Sequence, residues 1–119
     1  MTYIDGFILA VPTANRERFR AMASRVGKIF VEHGALRVVE NWGDDVARGE
    51  ITDFYRAAQA GEDETIVCAF IEWPSKEVRD SAWEKLMADE RMQPEGEIPF
   101  SGARLIYGGF SIILDTQES

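Results

Sequence analysis

An α+β domain of order strand-helix-strand-strand-helix-strand is what this chain predicts, and two observations carry the expectation. The first is an internal repeat. An apolar run ending in proline, FILAVP at Phe7 to Pro12, leads into a helical pattern, and CAFIEWP, Cys68 to Pro74, does the same. The second is that a glycine-alanine pair after each helical pattern opens a new strand: GALRVVENW from Gly34 and GARLIYGGF from Gly102. Order β-α-β-β-α-β matches the split βαβ, or ferredoxin-like, plan, in which two helices lie on one face of an antiparallel sheet. At 119 residues the chain fits one domain, residues 1–119.

Each element has its own signal. Ile4 to Val11 reads as the first strand; Pro12 ends it and Thr13 is placed to cap the helix that follows. Phe19, Met22, Ala23, Val26, Ile29 and Phe30 recur at helical spacing and give one apolar stripe. Gly34 is suited to stop this helix in a left-handed conformation. The second strand spans Leu36 to Trp42. From Gly43 to Glu62 the chain is irregular and acidic, with room for a short strand or helical turn at Ile51 to Arg56. The third strand is Thr65 to Trp73; Ser75 is the second cap, and a helix covers Lys76 to Asp89 with Val78, Ala82, Leu86, Trp83 and Met87 facing inward. A loop with Pro94, Gly96 and Pro99 precedes a fourth strand from Ala103 to Leu114.

Both faces of these strands are apolar. Val67, Ala69, Ile71 and Trp73 point one way while Ile66, Cys68 and Phe70 point the other. Phe7, Leu9 and Val11 likewise oppose Ile4, Ile8 and Ala10. Two helices cover only one face, and each large side chain left wet forfeits about 1.5–3 kcal/mol. An exposed patch of that size marks an interface. The expectation is a homodimer packed sheet to sheet; the rival is that the stretch from Gly43 to Glu62 folds across the open face.

Composition excludes several partners. A net charge of −8 argues against nucleic acid and anionic membranes. The single cysteine, Cys68, permits no intrachain disulfide and fits a reducing compartment. No apolar run approaches the roughly 20 residues of a transmembrane helix, and no basic-then-apolar leader opens the chain. A cytoplasmic protein is expected.

YIDGF at Tyr3, ALRVVENWGDDV from Ala35, TDF at Thr52, IEWPSKEVRD from Ile71 and IPFSGARLIYGGF from Ile98 run in order along nearly the whole chain. On these blocks the sequence resembles the YbaA-like family of uncharacterised bacterial proteins, part of the dimeric α/β-barrel superfamily. The resemblance implies the ferredoxin-like protomer and the sheet-to-sheet homodimer but no established activity; no cofactor is expected. Glu90 and Ser101 depart from the family pattern, at a helix end and a turn.

The residues that carry chemistry are few. His33, the only histidine, sits in the last turn of the first helix, where a cation suits the helix dipole. It has no partner at zinc-like spacing, and the acidic run Asp44, Asp45, Glu50 and Asp53 lacks the alternation of a calcium loop, so no metal is expected. Asn41, Trp42 and His33 supply the residue types of haem-degrading members of that superfamily, but Asn41 and Trp42 point to opposite faces of a strand.

Charges inside the strands say more: Asp5, Arg37, Glu40, Glu72 and Arg104 all lie in apolar runs. A buried charge costs several kcal/mol unless paired. The structural reading pairs Arg37 or Arg104 with Glu40, Glu72 or Asp5. The functional reading gathers them into a mostly apolar small-molecule pocket. In it, Glu40 beside Trp42 has a raised pKa and transfers a proton, Tyr107 and Arg104 orient an anionic or carbonyl group, and Arg37 and Glu72 complete the lining. Three functions follow: a small-molecule-binding homodimer, a cofactor-independent monooxygenase or isomerase using Glu40, and a non-catalytic interaction protein with a packed interior.

Overall fold

The two proline-terminated runs become the two long central strands. In the computed structural model, which describes residues 2–117, β1 (Tyr3–Pro12) and β3 (Glu64–Trp73) pair antiparallel along their whole length, from Tyr3 opposite Trp73 to Pro12 opposite Glu64. Two shorter strands form the edges: β2 (Arg37–Trp42) on β3 and β4 (Ile106–Ser111) on β1. The sheet order is β2-β3-β1-β4, and all three pairings are antiparallel. Helix α1 (Arg16–Glu32) connects β1 to β2 across β3, and α3 (Lys76–Ala88) connects β3 to β4 across β1. A third, one-turn helix, α2 (Phe54–Ala57), sits in the irregular stretch.

The strand period of two divides the side chains cleanly. Tyr3, Asp5, Leu9 and Val11 of β1 and Val67, Ala69, Ile71 and Trp73 of β3 are buried beneath the helices. Against them pack Phe19, Ile29 and Phe30 from α1 and Ala82 and Leu86 from α3. The Phe30 ring stands edge-on to both Trp73 and Trp83, with centroids 6.3 and 5.2 Å apart.

Several boundaries differ from expectation for local reasons. Thr13 does not cap α1: Thr13 to Asn15 tighten into a 3₁₀ turn, the Thr13 hydroxyl meets that of Thr65 at 2.7 Å, and α1 starts at Arg16. Ser75 does cap α3, its hydroxyl accepting from the Val78 amide at 3.2 Å. Met87 is 81% exposed rather than inward, since it turns toward the β4 edge, beyond which no further strand lies among the described residues. Strand β4 is shorter than its apolar run. Its Ser111 faces Tyr3, the first residue of β1, so Ile113 and Leu114 have no ladder to join. Ahead of it, Gly102 to Arg104 form a 3₁₀ turn.

Gly34 ends the α1 turn at φ +115°, and a methyl there would come within 2.9 Å of Val78 Cγ1. Both the conformation and the space require glycine. Gly34→Ala is expected to cost about 1–3 kcal/mol, read as a lower urea midpoint at unchanged m-value.

The second face of the sheet is partly covered. Helix α2 and its flanks bury Ala10 and Ile66 under Ala58, with Tyr55 and Ala60 against them. That is one end only. Ile4, Ile8, Val39, Phe70, Cys68, Ile106 and Phe110 share this face by register, and Cys68, Ile106 and Phe110 are exposed. The molecule is a slab 20 Å thick and 39 by 38 Å across. No helix among the described residues is long and apolar enough to cross a membrane.

Candidate functional site

Small side chains on the flank of α1 open a groove beside β2. Ala23, Ser24 and Gly27 face the edge strand, and a methyl at Gly27 would lie 3.7 Å from Val38 Cβ. From that contact, roughly 1.5 Å per helical residue against 3.3 Å per strand residue sets Glu40 about level with Ala23, and Trp42 about level with Phe19. The Arg16 guanidinium lies over the Trp42 ring, 5.7 Å from its centroid. The groove encloses about 750 Å³, within the range of small-molecule sites. Its floor is Phe19, Val38 and Val67, and its helical rim carries Arg16, Arg20 and Lys28.

Glu40 projects into this groove from the helix-facing side of β2, opposite Ala69. By surface area Glu40 is an exposed residue, with water on its open side. Enough protein surrounds the carboxyl, however, that desolvation pushes its pKa up to about 7 from an ordinary 4.5, and no hydrogen bond or cation offsets the rise. The solvent contact makes this partial desolvation rather than burial. Linkage follows: the folded state holds the proton more tightly than the unfolded chain. Below about pH 4.5 the carboxyl is neutral in both states. Stability then declines as pH rises toward 7 and levels off above. Glu40→Gln removes that slope. After discounting for solvent contact, it is expected to stabilise the protein by about 1 kcal/mol at pH 8 and to make no difference at pH 4. Thermal melts of both proteins across pH 4–8 measure it.

The remaining predicted site residues lie elsewhere. Arg37 and Glu72 pair across β2 and β3 on the opposite face, Nε to Oε2 at 2.8 Å, with the Arg37 guanidinium over Phe70. Arg104 grips Glu64 with both terminal nitrogens, at 2.7 and 2.6 Å, and holds its carboxyl down to about 2. Tyr107, 73% exposed, lines a second groove of about 580 Å³ at the other edge, between α3 and β4. Of the predicted site residues only Glu40 and Trp42 line the α1–β2 groove. Gly109 keeps its backbone close to Tyr3 and Arg79, where a methyl group would meet both side chains.

A buried polar centre sits beneath the second groove. Asp5, 3% exposed, accepts from the Trp73 indole at 2.9 Å and the Trp83 indole at 2.8 Å. Arg79 forks onto the same carboxylate, Nη2 at 2.7 Å and Nε at 3.1 Å. Asp5 stood out in the sequence as a strand charge; its three donors, more than sixty residues away, did not. Every direction around this carboxylate is taken, so it organises the core and offers nothing to a ligand. His33 closes α1 with its Nε2 3.1 Å from Asp89 Oδ2, which fits a structural role. Asp53 caps α2 and also accepts from Gly49. Among the described residues no cluster of histidine, cysteine and carboxylate groups could hold a metal.

The rim of the α1–β2 groove was not foreseen. Its signal was present: arginine, serine and lysine at Arg20, Ser24 and Lys28, four apart on one flank beside the apolar stripe.

A family model described as "Protein of unknown function (DUF1428)" matches residues 2–102. Curated relatives include "Uncharacterized protein YbaA" of Escherichia coli strain K12, 51% identical over 116 residues, covering 97% of this chain and 99% of that protein. The YbaA of Shigella flexneri matches with the same identity and coverage. The chain belongs to the DUF1428 family of proteins of unknown function.

Proposed function

We propose that this protein is a ferredoxin-like homodimer, joined through its open sheet face, that binds a small molecule in the α1–β2 groove of each protomer. The order β2-β3-β1-β4 with antiparallel neighbours supports the ferredoxin-like plan. The dimer rests on the apolar face that α2 leaves uncovered. A standard interface buries about 800 Å² per partner, and a slab 39 by 38 Å presents a face larger than that. Cys68, a thiol exposed on that face, suits the reducing cytoplasm.

The observation that carries the binding function is Glu40 beside Trp42 in a groove of about 750 Å³, with its pKa raised to about 7. The same observation favours a second reading, a cofactor-independent enzyme with Glu40 transferring a proton, because a carboxyl titrating near neutrality serves as acid and base alike. The groove counts against a fully packed interaction protein. Native mass spectrometry of protein purified from its host tests the first reading: a dimer mass with a retained small molecule is expected. A bare monomer mass would remove both halves of the proposal. Once a substrate is found, full turnover by Glu40→Gln would remove the enzyme reading.

A further inference from the structure

The groove differs in charge from the rest of the molecule. The protein carries −8, with 21 carboxylate residues against 13 cationic ones. Yet the groove collects three cations, Arg16, Arg20 and Lys28, against two carboxyls, Glu32 and Glu40. Glu32 is engaged by Arg91 at 2.7 Å. Arg16 and Arg20 lean on Glu17, outside the groove, at 3.8 and 3.0 Å. Lys28 makes no ion pair among the described residues. Among the described residues Glu40 is the only carboxyl on the strand side, and it is close to half-protonated at neutral pH. The space is therefore locally positive in a strongly acidic protein, which draws an anion and not a cation.

Its shape is equally informative. The lining runs from Arg16 to Glu32 along α1, a distance of roughly 24 Å. Phe19, Ala23, Gly27, Val38 and Val67 give it an apolar floor. The cations stand along one long side.

We propose that the α1–β2 groove takes an elongated apolar molecule with a single carboxylate head, its body laid along Phe19, Val38 and Val67 and its head held between Arg20 and Lys28. Arginine forks onto a carboxylate through two parallel N–H bonds, and lysine adds a mobile point charge. Between them the Ser24 hydroxyl is a neutral donor, and Glu40 in its neutral form is a second. The inference rests on the groove being a small-molecule site.

Three probes of equal chain length separate head from body: decanoate, decan-1-ol and decyltrimethylammonium. They are titrated below micelle formation into ¹⁵N-labelled full-length protein. Decanoate is expected to shift the amides of residues 19–28 and 38–42, and to bind at least tenfold tighter than the alcohol, with the ammonium weakest. The double variant Arg20→Gln/Lys28→Gln is expected to lose that tenfold for decanoate and keep its affinity for the alcohol. Ser24→Leu, which fills the groove, is expected to abolish binding of both. Equal affinity for all three probes, or decanoate binding untouched by the double variant, would overturn the carboxylate inference and leave the groove as a small-molecule site. Decanoate binding that survives Ser24→Leu would place the ligand elsewhere and overturn it too. Silence of these amides toward every probe would overturn both the inference and the site beneath it.

Discussion

Asp5→Ala is expected to lower the free energy of unfolding by about 3–5 kcal/mol, the cost of leaving a buried ion pair half-made. Three donors converge on this carboxylate: Arg79 through its fork, and the indoles of Trp73 and Trp83. Trp73 is completely buried, so water cannot replace its lost acceptor in place, while Arg79, whose side chain is 23% exposed, keeps only Asp80 at 2.9 Å. The loss is a large fraction of the 5–15 kcal/mol that holds a domain together. In a chain of this length it corresponds to a fall of roughly 12–25 °C in melting temperature. Asp5→Asn, which keeps the shape and one acceptor, is expected to fall between. Replacing Arg79 with methionine in the Asp5→Ala background is expected to recover part of the loss, because the stranded charge is removed with its partner. Denaturation at one fixed protein concentration measures all three, because any self-association makes stability vary with concentration. A cost below about 1 kcal/mol for Asp5→Ala would mean that the centre is incidental to the fold.

Phe110→Arg is expected to weaken self-association at least a hundredfold while leaving the protomer folded. Phe110 is 59% exposed and lies on an edge strand, its ring over Gly6 and Gly108. In a single protomer the substitution is a surface change, normally within about 0.5 kcal/mol. In a sheet-to-sheet dimer it drives a charge into an apolar seam. A hundredfold loss is about 2.7 kcal/mol, within the usual range for a buried aromatic anchor. Sedimentation equilibrium reads the change directly. Cys68, on the same face, supplies a second readout: its alkylation is expected to be slow in the wild type and fast in the variant. A wild-type protein that sediments as a 13.4 kDa species at micromolar concentration would contradict the dimer.

The repeat of strand, proline and helix made the order of elements legible before any coordinates, because prolines and glycines punctuate a chain locally. The doubly apolar strands were equally plain in a single sequence, since alternation is a local property as well. Partner choice is not local. Arg79 reaches Asp5 across 74 positions, and nothing in the chain says which of 13 cations finds which of 21 carboxylates. Arg104 illustrates the point. It lies in an apolar run, but the 3₁₀ turn at Gly102 carries it to Glu64 at the start of β3, and not to Glu40, Glu72 or Asp5. Glu40 and Trp42 were legible as a pair because two residues on one strand share a face by construction. The helical half of their groove was not, for a gap is made by side chains that are small, and small side chains on a helix flank look like unremarkable surface. The irregular stretch was legible only as irregular. Its one-turn helix covers the end of the open face and leaves the rest bare, so the covering by this stretch holds for one end only.

A ¹³C NMR titration of the Glu40 side-chain carboxyl bears most directly on the claim that α1 and the edge strand enclose a partly dry site. A midpoint near pH 7 is the predicted result. A midpoint near the ordinary 4.5 would show that water fills the groove as freely as it wets the surface, and the site would lose its physical basis.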